Sequence, residues 1–335
     1  MKGLLQPIVV TRKLPIHDRA QPLAGSRYVG FRDVVLQGKV QTTPLSEGQH
    51  QTLTSLRPML CGLTLDRPRI MGILNITPDS FSDGGDLPSV ASAVARAQAM
   101  VLAGVDILDI GGESTRPGAA DVSIAEEIRR TEPVINAVRA AGVTIPISID
   151  TRKTAVARAA IAAGADMVND VSAFRFDPEL ADLVAETSVF ACLMHSKGDP
   201  ASMQKSPQYR DVLAEVYDHL AERIEFAQSA GIARDNLIVD PGIGFGKTLQ
   251  HNLSLLRGLS VYHGLGVAIL LGASRKKFIG SVGGAQAPKD RMPGSLAVAL
   301  HGAAMGVQVL RVHDVVETKQ ALELWQAIHA GETEE

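Results

Sequence analysis

Of 335 residues only two are cysteine, Cys61 and Cys192, and they stand far apart. That scarcity excludes a disulfide scaffold and suits a reducing, cytoplasmic compartment. Cations are not in excess either: 33 Lys and Arg face 36 Asp and Glu, a formal net charge of −3. No nucleic-acid footprint follows from such a balance. Long apolar runs are missing. The longest, Leu265 to Ala273, is about half of what a membrane span needs. Pro7, Arg12 and Lys13 interrupt the apolar residues near Met1, so no signal peptide is expected. Aromatic residues make up 4% of the chain. No cluster of His, Cys or carboxylates has metal-ligand spacing, and no GxGxxG follows the first predicted strand of the regular region. Gly244-Phe245-Gly246-Lys247 lacks the spacing of a Walker loop.

What remains is an ordinary globular mixture, 45% hydrophobic and 21% charged, long enough for one large core. It is organised around Arg69 to Gly85, RIMGILNITPDSFSDGG. Ile70 to Leu74 reads as a strand buried on both faces, and it gives way abruptly to Asn75 and a polar, glycine-rich loop. The same event recurs downstream. Predicted strands cover Asp106 to Ile110, Ile145 to Ile149, Asp166 to Val168, Val189 to Met194, Leu237 to Val239, Val267 to Leu271 and Val307 to Leu310. Between them run helical patterns, several stopped by a glycine such as Gly104, Gly142 or Gly231. Strict alternation of this kind favours a parallel sheet, and eight repeats favour an α/β fold of the closed (β/α)8 TIM barrel type over an open doubly wound sheet. Residues 1–66 form an N-terminal extension and 67–335 the barrel. In the extension, Leu4 to Val10 and Tyr28 to Leu36 predict a β-hairpin cap, with turns or linkers at Gln37-Gly38 and Ser46 to Gln49.

Each barrel run ends in a residue able to bind or ionise: Asn75, Thr115 with Arg116, Asp150, Asn169, His195, Asp240, Lys276, and Arg311 with His313. Singly, each has a plain structural reading, as a helix cap, a turn residue or a solvated cation. In a barrel all eight ends converge on one mouth, where active sites lie. The carboxylates and amide of Asp150, Asn169 and Asp240 suit a flat heterocycle rich in N–H donors. Asn75, Thr115, Arg311 and His313 offer donors suited to a phosphate or diphosphate. Any Mg2+ would be shared with substrate phosphates. On residue chemistry alone the chain is a barrel enzyme for an anionic heterocyclic substrate.

The segments IMGILNITPDSFSDGG, ILDIGGESTRPGA, SIDT, VND, LMH, DPGIGFGK, GASRKKFIG and RVHD occur in that order over residues 69 to about 320. With them the chain resembles the dihydropteroate synthases. The resemblance implies a transferase of folate biosynthesis that condenses p-aminobenzoate with 7,8-dihydropterin-6-ylmethyl diphosphate. It implies a pterin site at Asp150, Asn169, Val171, Met194, Asp240, Phe245 and Lys276, and a diphosphate site at Asn75, Thr115, Arg311 and His313. Asn75 would help place Mg2+. Phe81, Ser82, Asp83, Arg116, Pro117, Ser274 and Arg275 would surround p-aminobenzoate. Asp150, Asp240, Lys276, Arg311 and His313 would carry the catalysis, in a homodimer. Two other readings stay open on the residues: a related pterin-binding methyltransferase domain, and a non-catalytic pterin-binding paralogue. The PDSFSDGG and SRK motifs favour the synthase.

The loops bearing Phe81 and Arg116 hold few apolar anchors, so their order is expected to come from ligand contacts. Diphosphate with Mg2+ would bring charge within reach of Asn75 and Thr115 at the loop bases, contacts an open state lacks. p-Aminobenzoate, and sulfonamides that imitate it, are therefore expected to bind the free protein weakly and the Mg2+-diphosphate complex much more tightly. Titration calorimetry in both conditions tests this, and equal affinities contradict it.

Overall fold

The computed structural model describes residues 4–11, 20–36, 38–41, 44–77, 89–114, 121–198, 203–204 and 206–330. It opens with β1 (Leu5–Thr11), β2 (Gln21–Pro22), β3 (Val29–Leu36), β4 (Lys39–Val40) and the helix α1 (Glu47–Thr54). The alternating region follows: β5 (Arg69–Asn75), α2 (Val90–Leu102), β6 (Ile107–Gly111), α3 (Ile124–Ala140), β7 (Ile147–Asp150), α4 (Thr154–Ala162), β8 (Met167–Asp170) and α5 (Glu179–Thr187). It continues with β9 (Phe190–Met194), α6 (Val212–Ser229), β10 (Leu237–Asp240), α7 (Leu249–Arg257), β11 (Ala268–Leu271), α8 (Lys277–Gly283), α9 (Met292–Ala304), β12 (Val309–Val312) and α10 (Val315–His329).

Strands β5 to β12 pair in parallel in sequence order, and β12 pairs β5 to close the barrel. Period two then sorts each strand's side chains. Outward residues such as Ile70, Leu108, Ile149 and Val239 join the core between sheet and helices. Inward residues of the first half of the strands, Met71, Ile107, Met167, Cys192, Ile238, Ala268 and Val309, form a second apolar cluster inside the barrel. The inward series turns polar in the C-terminal half, with Asn75, Asp109, Asp150, Asn169, Asp240 and Arg311. One end of the barrel is thus built for packing and the other for chemistry.

Two local expectations need correction and a third is enlarged. Ser46 to Gln49 is the start of helix α1 and not a turn or linker. The Ser46 hydroxyl accepts from the Gln49 N–H at 3.3 Å and the Gln49 side chain accepts from the Ser46 N–H at 3.0 Å, a capping box that starts a helix from polar residues. The last barrel strand begins at Val309 rather than Val307, because the Gln308 side chain donates to the Gly306 carbonyl and accepts from the Ile269 N–H, pinning the turn. The extension holds the expected antiparallel pair, β1 with β3, and enlarges it: β2 and β4 also pair with β3. That sheet leans on the barrel's flank, where Ser260 donates to the Pro7 carbonyl. The N-terminal opening of the barrel is filled instead by Leu60 and Leu65, which belong to the inner apolar cluster. No described helix is long and apolar enough to cross a membrane.

Leu65 is 3% exposed and plugs the barrel from below. Leu65→Ala is expected to lower stability by about 2–5 kcal/mol, as truncation of a packed leucine does. Leu102→Ala, 90% exposed at the end of α2, is expected to change it by less than about 0.5 kcal/mol. Urea unfolding of both variants checks the contrast.

Candidate active site at the C-terminal mouth of the barrel

The mouth encloses a cavity of about 600 Å³ whose lining includes Asn75, Thr77, Glu113, Asp150, Phe245, Lys247, Ser274, Arg275, Lys276, Arg311 and His313. At its floor the Arg311 guanidinium lies between two carboxylates from other strands. Its Nε donates to Asp109 Oδ2 at 2.6 Å and its Nη2 to Asp150 Oδ2 at 2.6 Å. Asn169 Nδ2 lies 3.5 Å from both Asp109 oxygens. Asp109 is fully buried and Asp150 is 6% exposed. Oδ1 of Asp150 is buried with no hydrogen-bond partner among the described residues. A buried carboxylate oxygen without a partner, on a residue that lines the cavity, marks a candidate position for a ligand donor.

Burial sets the electrostatics of this floor. It pushes the Asp150 carboxyl up to about 7, with Arg311 opposing and Asp109 adding a like charge. Burial also raises Asp240, against Lys276. Burial brings the Lys276 ammonium down to about 8, Asp240 opposing. For Arg311 burial works against the charge, but Asp109 and Asp150 outweigh it and raise the guanidinium above its usual range.

Strand order divides the expected residues into two arcs. β12 and β5 are neighbours, so Arg311, His313 and Asn75 share one side of the mouth. β7 to β10 carry Asp150, Asn169, Met194 and Asp240 around the other. Asn169 and Met194 are buried at that arc without lining the open volume, and Val171 is half-buried just beyond β8. Asp240 Oδ1 accepts from the Gly242 N–H at 2.7 Å, and its Oδ2 faces cavity-lining Gly272. The Lys276 Nζ donates to the Ile243 carbonyl and stands 4.4 Å above the Phe245 ring. Ser274 Oγ is 3.0 Å from His313 Nδ1, which couples the last two strand ends. Arg275 lines the cavity, but its guanidinium is held by Asp314 through both Nε and Nη2. Phe81, Ser82, Asp83, Thr115, Arg116 and Pro117 lie outside the described residues.

Two residues depart from the expected pattern. His195 points away from the cavity and is buried against Lys247. Asp109 sits inside the apolar run Asp106 to Ile110, whereas the sequence pattern points to Thr115 and Arg116 as that strand's polar end. Its parity with Ile107 and Gly111 was the available signal, since period two aims all three inward. Among the described residues no group of three or more His, Cys, Asp or Glu could hold a metal ion. The amide of Asn75, beside Arg311 and His313, fits a cation that takes most of its ligands from a bound diphosphate and water.

The chain is similar to known proteins over most of its length. The family described as pterin binding enzyme matches residues 71–313. The dihydropteroate synthase of Escherichia coli (strain K12) is 46% identical over 268 residues, covering 79% of this chain and 93% of that protein. The structure of Xanthomonas albilineans dihydropteroate synthase with 4-aminobenzoic acid is similar at a TM-score of 0.77 and 50% identity, covering 82% of this chain and 99% of that one. The same organism's enzyme in complex with 7,8-dihydropteroate gives a TM-score of 0.73 and 47% identity, over 80% and 96% of the two chains.

Asp109→Asn retains the shape of the Arg311 clamp and removes one charge. Losing a charge-assisted hydrogen bond is expected to lower stability by about 1.5–3 kcal/mol. Removing a like charge also lets Asp150 ionise more readily, so its pKa falls from about 7. Carboxyl-carbon NMR titration reads the direction, and a rise contradicts the assigned electrostatics.

Proposed function

We propose how this chain, which belongs to the pterin binding enzymes and among them to the dihydropteroate synthases, uses its barrel mouth to condense p-aminobenzoate with 7,8-dihydropterin-6-ylmethyl diphosphate. The observation that carries the assignment of the floor is the Asp109–Arg311–Asp150 clamp beneath the cavity, with the buried Oδ1 of Asp150 left without a partner. A dihydropterin presents N–H and amino donors along one edge. Asp150, Asn169 and Asp240 match that edge with acceptors, and Met194, Val171, Phe245 and Lys276 bound the ring.

Departure of diphosphate leaves positive charge on the pterin methylene. Ionised Asp150 stabilises it from a site already desolvated, where a fixed charge acts most strongly. Arg311 and His313 receive the negative charge of the leaving group, with Asn75 and Thr115 as further donors. Mg2+, held by Asn75 and the diphosphate oxygens, would supply additional neutralisation of that leaving group. The amine of p-aminobenzoate then attacks the methylene carbon, the C–N bond replacing the C–O bond, and the ammonium proton passes to solvent. An aromatic amine is neutral at pH 7, so no strong protein base is needed. The p-aminobenzoate site is assigned to Ser274 and Arg275 with Phe81, Ser82, Asp83, Arg116 and Pro117. Arg275, pinned by Asp314, contributes a positioned positive edge rather than a free side chain. We also infer a cytoplasmic homodimer. The exposed Val316, Leu324 and Ile328 on α10 support self-association, and sedimentation at the mass of one chain contradicts it.

Formation of 7,8-dihydropteroate from the two substrates tests the reaction directly, and its absence in folded protein refutes it. Below the Asp150 pKa of about 7 the carboxyl is neutral and cannot stabilise the cation. kcat/KM for the pterin substrate is therefore expected to fall about tenfold per pH unit on the acid side. Asp150→Asn is expected to be slow and to lack that limb.

A further inference from the structure

We propose that Lys247 is a positioning residue for the pterin pocket, an internal cation that holds the Asp240–Phe245 loop in its binding shape. Lys247 is 3% exposed, and its ammonium sits among four acceptors. Nζ is 2.9 Å from His195 Nδ1, 2.9 Å from the Gly242 carbonyl, 3.0 Å from the Phe245 carbonyl and 3.3 Å from the His195 carbonyl.

The backbone explains why such a cation is needed. At Gly242, φ +67°, a Cβ would lie 1.9 Å from the His195 carbonyl oxygen. At Gly246, φ +61°, it would lie 2.4 Å from the Lys197 carbonyl oxygen. The loop is therefore laid directly on the 195–197 backbone with no side chain between, and its carbonyls converge. Three carbonyl dipoles turned on one buried point repel one another unless a donor-rich positive group fills it. The imidazole lone pair at Nδ1 makes the same demand, which assigns His195 its neutral form with the proton on Nε2. Burial pushes the Lys247 ammonium toward neutrality, Asp240 opposes that, and Lys276 and Lys197 add to it. The four acceptors stabilise the charged form.

What the loop carries links this cation to the substrate. The Gly242 N–H holds Asp240 Oδ1, the Ile243 carbonyl takes the Lys276 ammonium, and Phe245 lies under that ammonium. Without Lys247 the Gly242 and Phe245 carbonyls lose their common partner, and all three groups shift. The p-aminobenzoate residues Ser274 and Arg275 are tied to His313, Asp314 and Ser295 instead. Loss of Lys247 therefore falls on one substrate.

The assignment rests on the dihydropteroate synthase reading, and the test separates the two. Steady-state KM is measured for each substrate with the parent and with Lys247→Met, urea unfolding reporting that both are folded. The expected result is a rise in pterin diphosphate KM of about tenfold or more with p-aminobenzoate KM within about threefold, since misplacing an anchoring group weakens only what it anchors. An unchanged pterin KM, or both KM values rising together, overturns the assignment. Should Lys247→Met not fold, Lys247→Gln, which retains a donor without the charge, is held to the same split. An inactive parent refutes the reaction itself, whereas an active parent whose variant retains its pterin KM refutes only the role of Lys247.

Discussion

Most of the site depends on one interaction, the guanidinium of Arg311 clamped between Asp109 and Asp150. Its parts come from β12, β6 and β7, so it forms only when the barrel closes through the β12–β5 pairing. Two carboxylates against one guanidinium leave the buried trio short of one positive charge. Burial alone would drive such a group to take up a proton, and Asp150 is the member pushed toward neutrality. A cation developing on the substrate supplies the missing charge. The clamp thus holds the floor together and leaves it electrostatically complementary to a transition state rather than to a resting ligand.

The same economy separates folding from chemistry along each strand. The inward residues of the lower half are apolar and packed, closed from below by Leu60 and Leu65. The polar residues at the upper strand ends and in the loops that follow are constrained by neighbours: Asp240 by Gly242, Lys276 by Ile243, Arg275 by Asp314, His313 by Ser274. Few of these side chains are free to move alone, which is what placing charge in a desolvated cavity requires.

Much of this was legible in the chain. Alternating buried runs and helical patterns determined a parallel sheet with helices outside it, and eight repeats determined closure. The polar residue at each run's end determined which end of the barrel is chemical. The misreadings have physical causes. Helix α1 is polar and is held by a capping box, so apolar periodicity could not reveal it. The last strand starts late because the Gln308 side chain bonds Ile269, a contact 39 residues away in sequence.

What the sequence by itself determined is therefore the fold, the mouth and the inventory of charged groups there. Only the tertiary structure decided who faces whom. Asp109, read as part of an apolar run, became a partner of Arg311 because strand parity and barrel closure brought β6 and β12 to one floor. His195, counted among the strand ends, turned instead to Lys247, 52 residues away. Local sequence sets which face of a strand a side chain takes. Partnership across a barrel is set by register and closure, which involve residues too distant in the chain for any local pattern to record.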